Sequence, residues 1–462
     1  MSSETPLPTF RDPAGSLKLE GEFAVRSIHT ASREAALEFV GSPLYLKLQL
    51  RGDVVGSTVD DGPDGLRLLH PRIAVPTYSW EWTASQWLAA AELTLNLCSE
   101  AIDAGWVLKD ATPLNILFVG PKPVLVDVLS FERWPKEASA KTSAIWLPYA
   151  QYVRTFLLPM LASRMLSWPL ALSLFRRDGY EAGELYAAMS WGQRLSPGAF
   201  WPVTLPAMLE KKKSEGAATP SARLMDRDAA AHVMKGTLAG LLKRTRKALP
   251  KDAASEWSSY KATLTHYTAE EAAAKYAWVQ GKLEEHSPKR VLDIGANTGE
   301  FSALAAACGA DVVALERDGA SADRVFNMAR AKELNIQTIH ADLSRPTPAV
   351  GWENAEQTSL LSRLEDKFEL VMMLAVIHHL ILMEQIPVPA IVALVHRLTR
   401  RHLIVEWVPV TDPMFQSLMR GRDELYGGLS ESDLLAACEG RFTVLDRHAL
   451  SNGRILYFFD KV

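Results

Sequence analysis

Residues 290–302 read RVLDIGANTGEFS. Val291, Leu292 and Ile294 form a short apolar run of strand type, Gly295 and Gly299 flank a tight bend, and a helical run follows Gly299. A strand that feeds a helix through such a turn aims backbone N–H groups and a helix N-terminus at a polar ligand. Gly295 has no Cβ, so a ligand can approach the main chain there, and Gly299 does the same at the helix start. No Gly-Lys-Ser/Thr follows, which excludes a phosphate-gripping P-loop, and Asn297 stands where the dinucleotide pattern needs its second glycine. Asp293 places a carboxylate at the strand tip, which suits a ligand carrying an ammonium group.

Two further acids extend the pattern. Residues 311–316, DVVALE, read as a second buried strand ending in Glu316, where a carboxylate can accept both hydroxyls of a ribose. A third strand, Ile336 to His340, leads to Asp342, placed to accept from an adenine amino group. Three acids on successive strand ends suit S-adenosylmethionine better than a nicotinamide dinucleotide.

With residues 368–380, FELVMMLAVIHHL, these segments resemble the motifs of the class I S-adenosylmethionine-dependent methyltransferases, over roughly residues 257–462. The resemblance implies an α/β fold with a Rossmann-like, seven-stranded sheet closed by an antiparallel hairpin, and S-adenosylmethionine as cofactor. It implies Asp293 with Gly295, Asn297 and Gly299 at the methionine end, Glu316 on the ribose diol, Asp342 at the adenine, and Leu343 and Leu374 beside the cofactor. A leading helix from Ala269 to Glu285 commonly lies over the cofactor in this class, so Tyr260, Tyr267 and Lys275 are candidates for the methionine carboxylate and the substrate mouth. The other reading of the same turn is a nucleotide-binding Rossmann unit with a different ligand. At the chain's end, two strand-like runs, 442–448 and 454–459, are joined through Ser451-Asn452-Gly453, and Asn-Gly is the strongest short hairpin signal. That hairpin is what the resemblance requires.

A chain of 462 residues favours two or more domains, and 48% apolar with 23% charged residues is ordinary globular composition. The net charge of −4 gives no general reason to expect nucleic acid as a partner. Basic clusters at Lys211–Lys213 and Lys243–Lys247 read as solvated faces of a connector. Three scattered cysteines, Cys98, Cys308 and Cys438, suit a reducing compartment and form neither a disulfide framework nor a metal site. The start MSSETPLPTF lacks the basic and apolar regions of a signal peptide, and the greasy stretch 156–174 is broken by Pro159, Arg164 and Pro169. A cytoplasmic protein without a membrane span is expected, its oligomeric state left open.

In the N-terminal part, residues 19–60 alternate apolar and polar side chains and suggest several strands, including Leu44–Leu50, with a turn at Gly62–Gly65. Residues 80–104 turn helical, with Trp87, Leu88, Ala91, Leu95 and Cys98 spaced for one buried face. Next comes LKDATPLNILF over 108–118, then VLVD over 124–127. A helix leading into D-x-x-x-x-N and a short hairpin ending in Asp resembles the catalytic loop and metal-binding strand of the protein-kinase and aminoglycoside-phosphotransferase superfamily. The resemblance implies Asp110 as acceptor of the substrate proton, with Asn115 and Asp127 holding magnesium against phosphates. Leu108 replaces the usual histidine, Val128-Leu129 follows the metal Asp, no Gly-rich phosphate loop is present, and Lys47 is a guess for the strand lysine. A degenerate α+β kinase-like domain, its polar residues fixing loop geometry, is expected over a working phosphotransferase. The expected domains are 1–205, kinase-like; 206–256, a basic connector; and 257–462, the methyltransferase unit.

The fourth strand ends in apolar residues, without the Asn/Asp-Pro-Pro-Tyr/Phe run that positions an amino group in many N-methyltransferases. His378 and His379 follow near where the sulfonium methyl should lie, and an imidazole titrates in the right range for a base. The alternative is that one caps the helix and the other packs under the sheet. Glu406, on the fifth strand, is expected at the same rim, with Asp412, Met414, Arg420, Arg422 and Tyr426 facing substrate and residues 344–367 as a lid. The leading expectation is an enzyme that methylates a small-molecule or glycan-like acceptor at oxygen. The alternatives are a cofactor-binding sensor or scaffold with a recruiting kinase-like domain, and a bifunctional phosphotransferase and methyltransferase.

Overall fold

A computed structural model describes residues 11–63, 65–135, 142–213, 224–250 and 267–462, and its contacts divide the chain into two units. The first holds mainly elements between Gly15 and Ala248, the second those between Ala269 and Lys461. The first unit opens with an antiparallel sheet of β1 (Gly15–Glu20), β2 (Phe23–Ile28), β3 (Thr58–Gly62) and β4 (Gly65–Pro71), in the order β1-β2-β4-β3. Gly62 and Gly65 pair across the turn between the last two strands, where the sequence marks one.

Residues 44–50 correct the expectation of a strand, because they lie inside helix α1 (Pro43–Arg51). Ser42 accepts from the Tyr45 N–H at 3.1 Å, Pro43 supplies a first-turn residue with no N–H to satisfy, and Gly52 ends the helix at φ 67°. Burial follows the helical period: Leu44, Tyr45 and Leu48 are inside, while Leu46 and Leu50 are 52% and 89% exposed. Lys47 therefore sits on a helix, paired with Glu100 at 2.6 Å, and is not a strand lysine. Helix α2 (Ala84–Asp103) buries Trp87, Ala91, Leu95 and Cys98 of the expected face, while Leu88, one position round the helix from Trp87, is only partly buried. Much of the expected connector is ordered too. Helix α3 (Arg227–Ala248) packs on α2 and buries Ala230, Met234, Leu238, Leu241 and Thr245, a stripe repeating every three or four residues.

The second unit holds a seven-stranded sheet, as the resemblance implied. Its strands are β5 (Arg290–Ile294), β6 (Asp311–Glu316), β7 (Ile336–His340), β8 (Phe368–Met373), β9 (Thr399–Trp407), β10 (Phe442–Ala449) and β11 (Ile455–Lys461). The order is β7-β6-β5-β8-β9-β11-β10; the first five in that order are parallel, and β11 runs antiparallel to β9 and β10. Helices on both faces explain the near-continuous apolar strands, such as Leu370 to Met373 in β8. Gly453 turns the closing hairpin at φ 84°. The helices that position the site are α4 (Ala269–His286), α5 (Glu300–Ala307), α6 (Gly319–Ala331), α7 (Ile377–Leu382), α8 (Val388–Leu398) and α9 (Pro413–Met419). The chain leaves β5 for β6 and β7 on one side and then crosses from β7 to β8 on the other, and this reversal of strand order beside β5 opens a crevice at the strands' carboxyl ends. No described helix is long and apolar enough to cross a membrane.

The helical burial of α1 has a direct test. Leu46→Lys is expected to change unfolding free energy by no more than about 0.5 kcal/mol, whereas Leu48→Ala costs about 2–5 kcal/mol in denaturant titrations. Equal large losses would restore the strand reading.

Candidate active site

The crevice contains a cavity of about 270 Å³. Asp293 and Gly295 reach it from the end of β5, Asn297 from the turn, Glu316 from β6, Asp342 and Leu343 from beyond β7, and Leu374 from beyond β8. Tyr267 and Lys275 enter from α4 and the residues before it, His379 from α7. The three strand-end acids therefore share one wall.

Backbone geometry in the turn is tightly set. Gly295 lies at φ 71°, and a Cβ on it would stand 2.4 Å from Val376 Cγ2. The Asn297 N–H donates to Glu316 Oε2 and the Asp318 N–H to Glu316 Oε1, both at 2.7 Å. Each oxygen of Glu316 thus spends one lone pair on the main chain and keeps another for a ligand. Burial, opposed by those N–H groups, raises this carboxyl above its ordinary range. Asn297 Oδ1 is buried with no partner among the described residues. Asp293 is buried and accepts from Ser302 Oγ at 2.6 Å, and burial pushes its carboxyl up to about 6. Asp342 Oδ1 accepts from the N–H and hydroxyl of Ser344, at 2.8 and 2.7 Å. Gly299 does not line the cavity; at φ 84° it lets α5 start against α6, where a Cβ would meet Met328 Cε and Val325 Cγ2 at 3.0 Å.

The three residues expected to be catalytic part company. His379 lines the cavity, its Nδ1 3.4 Å from Met383 Sδ, and burial pushes its imidazole down to about 4. His378 does not line the cavity: it is buried, packs against His379 with ring centroids 4.2 Å apart and planes tilted by 42°, and neither ring nitrogen has a partner among the described residues. Glu406 is fully buried behind the cavity wall. It accepts from Lys275 Nζ at 2.5 Å, from Arg454 Nη1 at 3.4 Å and from the Tyr267 hydroxyl. Burial works to raise its carboxyl, but Lys275 and Arg454 hold it below the ordinary range. Asp412 faces Arg454, accepting from its Nε at 2.8 Å. Arg422 donates to the Leu418 and Leu382 carbonyls, joining α9 to α7, and Arg420 and Tyr426 do not line the cavity. Residues 344–367 carry one short helix, Leu360–Leu364, and a 3-10 turn, Trp352–Asn354. Tyr260 lies outside the described residues.

Sequence reading passed over Arg454, Arg317 and Glu384, all on the cavity wall. Arg454 stands just after the Asn-Gly turn, where a charge is ordinary, so no local signal marks it.

In the first unit, Asp110 is half-buried, and burial with the neighbouring Asp127 raises its carboxyl. Asn115 Nδ2 donates to Ser130 Oγ at 3.1 Å, and that hydroxyl donates to Asp127 Oδ2 at 2.6 Å.

A ligand ammonium needs Asp293 ionised, so a carboxyl titrating near 6 must lose its proton on binding at lower pH. Calorimetric affinity for S-adenosylmethionine is expected to rise about tenfold per pH unit below that point and level off above it. Asp293→Asn should flatten the dependence; a flat profile in the unaltered protein would contradict it.

Residues 264–398 match the family model described as a methyltransferase domain. The chain is 26% identical over 476 aligned positions to "Nodulation protein NoeA" of Rhizobium meliloti (strain 1021), covering 98% of this chain and 95% of that protein. Among solved structures it is similar to the magnesium protoporphyrin IX methyltransferase ChlM of Synechocystis PCC 6803 with bound S-adenosylmethionine. That likeness has 14% identity and a TM-score of 0.30, covering 46% of this chain and 87% of ChlM. It is also similar to the bifunctional kinase-methyltransferase WbdD, at 17% identity and a TM-score of 0.30, covering 40% of this chain and 38% of WbdD. The cavity fits the cofactor on its own terms: an orphaned buried amide oxygen on Asn297, a glycine where no Cβ has room, and two strand-end acids with lone pairs to spare. With the seven-stranded sheet and the matched domain together, the chain is an S-adenosylmethionine-dependent methyltransferase.

Proposed function

We propose that the second unit methylates an oxygen of a small-molecule or glycan-like acceptor, with His379 as the base. The observation that carries this reading is His379 itself, on the cavity wall and uncharged at neutral pH. When bound, the cofactor supplies an electrophilic methyl on a positively charged sulfonium. A neutral imidazole beside that charge is not repelled and can take the proton of an acceptor hydroxyl, and alignment in the crevice supplies much of the remaining acceleration. The wall after β8 is Leu374-Ala375-Val376, which offers no side-chain amide or carboxylate to an acceptor amine.

The other expected residues take roles around this centre. Asp293, Gly295 and Asn297 hold the methionine end, Glu316 the ribose and Asp342 with Leu343 the adenine, while Leu374 shapes the floor. Tyr267 and Lys275 cover the methionine end, and Glu406 is a positioning residue that fixes both through their hydrogen bonds. His378 packs beneath His379.

The first unit is read as a kinase-like domain that offers a second binding surface to the same acceptor, with its boundary after α3. The match to the nodulation protein, which runs along 98% of the chain, supports treating both units as parts of one activity.

Turnover measured against hydroxyl, amine and carboxylate acceptors tests the reading. Methylation confined to amines, or cofactor binding without turnover on any class, would contradict it; the second result favours the sensor or scaffold reading. His379→Ala is expected to lower kcat about 10²-fold or more while S-adenosylmethionine affinity stays within tenfold. Equal losses in both would make His379 a cofactor contact.

A further inference from the structure

We propose that Arg26 is a built-in counter-cation in the first unit, occupying the place where a divalent ion would bind between Asp12 and Asp127, so that this unit takes up neither magnesium nor a magnesium nucleotide. The inference rests on the kinase-like reading of Asp110, Asn115 and Asp127 given above, and it concerns a different centre from the methyl-transfer cavity.

The residues present do not fit a bound metal. Magnesium needs carboxylate oxygens at about 2.0–2.1 Å in near-octahedral array, and Asp127 Oδ1 already faces a cation. Its Oδ1 faces Arg26 Nη1 at 3.3 Å and accepts from the Leu129 N–H at 3.3 Å. Its Oδ2 receives the Ser130 hydroxyl at 2.6 Å. Asn115, the second expected ligand, directs its amide N–H to that same hydroxyl. Asp12 closes the other side, with Oδ2 2.5 Å from Arg26 Nη1 and Oδ1 accepting from the Ala14 N–H at 2.9 Å. One guanidinium nitrogen therefore bridges two carboxylates brought together from distant parts of the unit.

Arg26 is not a side chain that can readily vacate this place. It stands on β2, flanked by β1 and β4 and opposite Leu68, with its side chain only 12% exposed. A guanidinium keeps its charge at any physiological pH and repels a dication placed beside it. Among the described residues, no group of three or more His, Cys, Asp or Glu is arranged to hold a metal ion. The one acid that the resemblance assigns to magnesium, Asp127, is instead paired with the chain's own cation, as is Asp12.

Manganese is the probe, because free Mn²⁺ is counted directly by electron paramagnetic resonance in the presence of the full-length protein. The unaltered chain is expected to show no Asp127-dependent uptake of Mn²⁺, and no saturable binding of ATP with Mg²⁺. Arg26→Ala, with Arg26→Gln as a second variant should the first fail to fold, is expected to bind Mn²⁺ at least tenfold more tightly. Adding Asp127→Asn to either variant should abolish the gain. Metal or Mg·ATP binding by the unaltered chain that Asp127→Asn removes would overturn the proposal while leaving the kinase-like reading intact. Failure of both folded Arg26 variants to gain Mn²⁺ would overturn the proposal and the kinase-like reading together. Calorimetry with S-adenosylmethionine on the same samples reads the other unit separately, so a failure of the methyltransferase reading is distinguishable from either result.

Discussion

The wall of the methyl-transfer cavity is organised by a carboxylate that never meets solvent. Glu406 is fully buried on β9, and an isolated charge in such a place costs several kcal/mol even after relaxation. It persists because Lys275, Arg454 and Tyr267 converge on its two oxygens. Those three residues come from the leading helix, the start of the closing hairpin's last strand and the segment before the helix. A single buried acid on β9 thus ties the leading helix and the segment before it to the sheet.

That constraint explains the shape of the site. Lys275 and Tyr267 are on the cavity wall because their polar ends are drawn to Glu406, and Arg454 is held on its other edge by Asp412. Two cations lie over the Tyr267 ring, Lys275 Nζ at 5.1 Å and the Arg454 guanidinium carbon at 4.7 Å from its centroid. Cation–π attraction of this kind adds about 0.5–2 kcal/mol where water is excluded. The opposite wall is fixed by backbone rather than by charge: the main-chain N–H groups of Asn297 and Asp318 grip Glu316, and Val376 fills the space that Gly295 leaves. A cavity built this way presents preorganised acceptors at the strand ends and donors at the leading helix.

Much of this was legible in the sequence where one local rule sufficed. The strand, glycine turn and helix at 290–302, the acids at the ends of β5 and β6, and the Asn-Gly hairpin are written in neighbouring residues, and the parallel order with its antiparallel close is what the resemblance they carry implied. What escaped depended on residues far apart. Glu406 reads as a rim carboxylate because its position on β9 is visible, whereas the partners that bury it arrive from about 130 residues upstream and 50 downstream in the chain. Arg454 looks like one more charge in a turn until the hairpin returns it to the cavity. In the first unit, leucines at 44, 46, 48 and 50 match a period of two, but Ser42, Pro43 and Gly52 cap a helix around them. Helix α3 hid for the opposite reason: its buried stripe includes Ala and Thr, so the apolar period is faint.

The decisive measurement is a double-mutant cycle of Glu406→Gln and Lys275→Met, read as S-adenosylmethionine affinity by calorimetry. If Glu406 shapes the site by holding Lys275, the two losses overlap and the coupling exceeds about 1 kcal/mol. Losses that add to within about 0.5 kcal/mol would show the two residues acting independently and contradict the account.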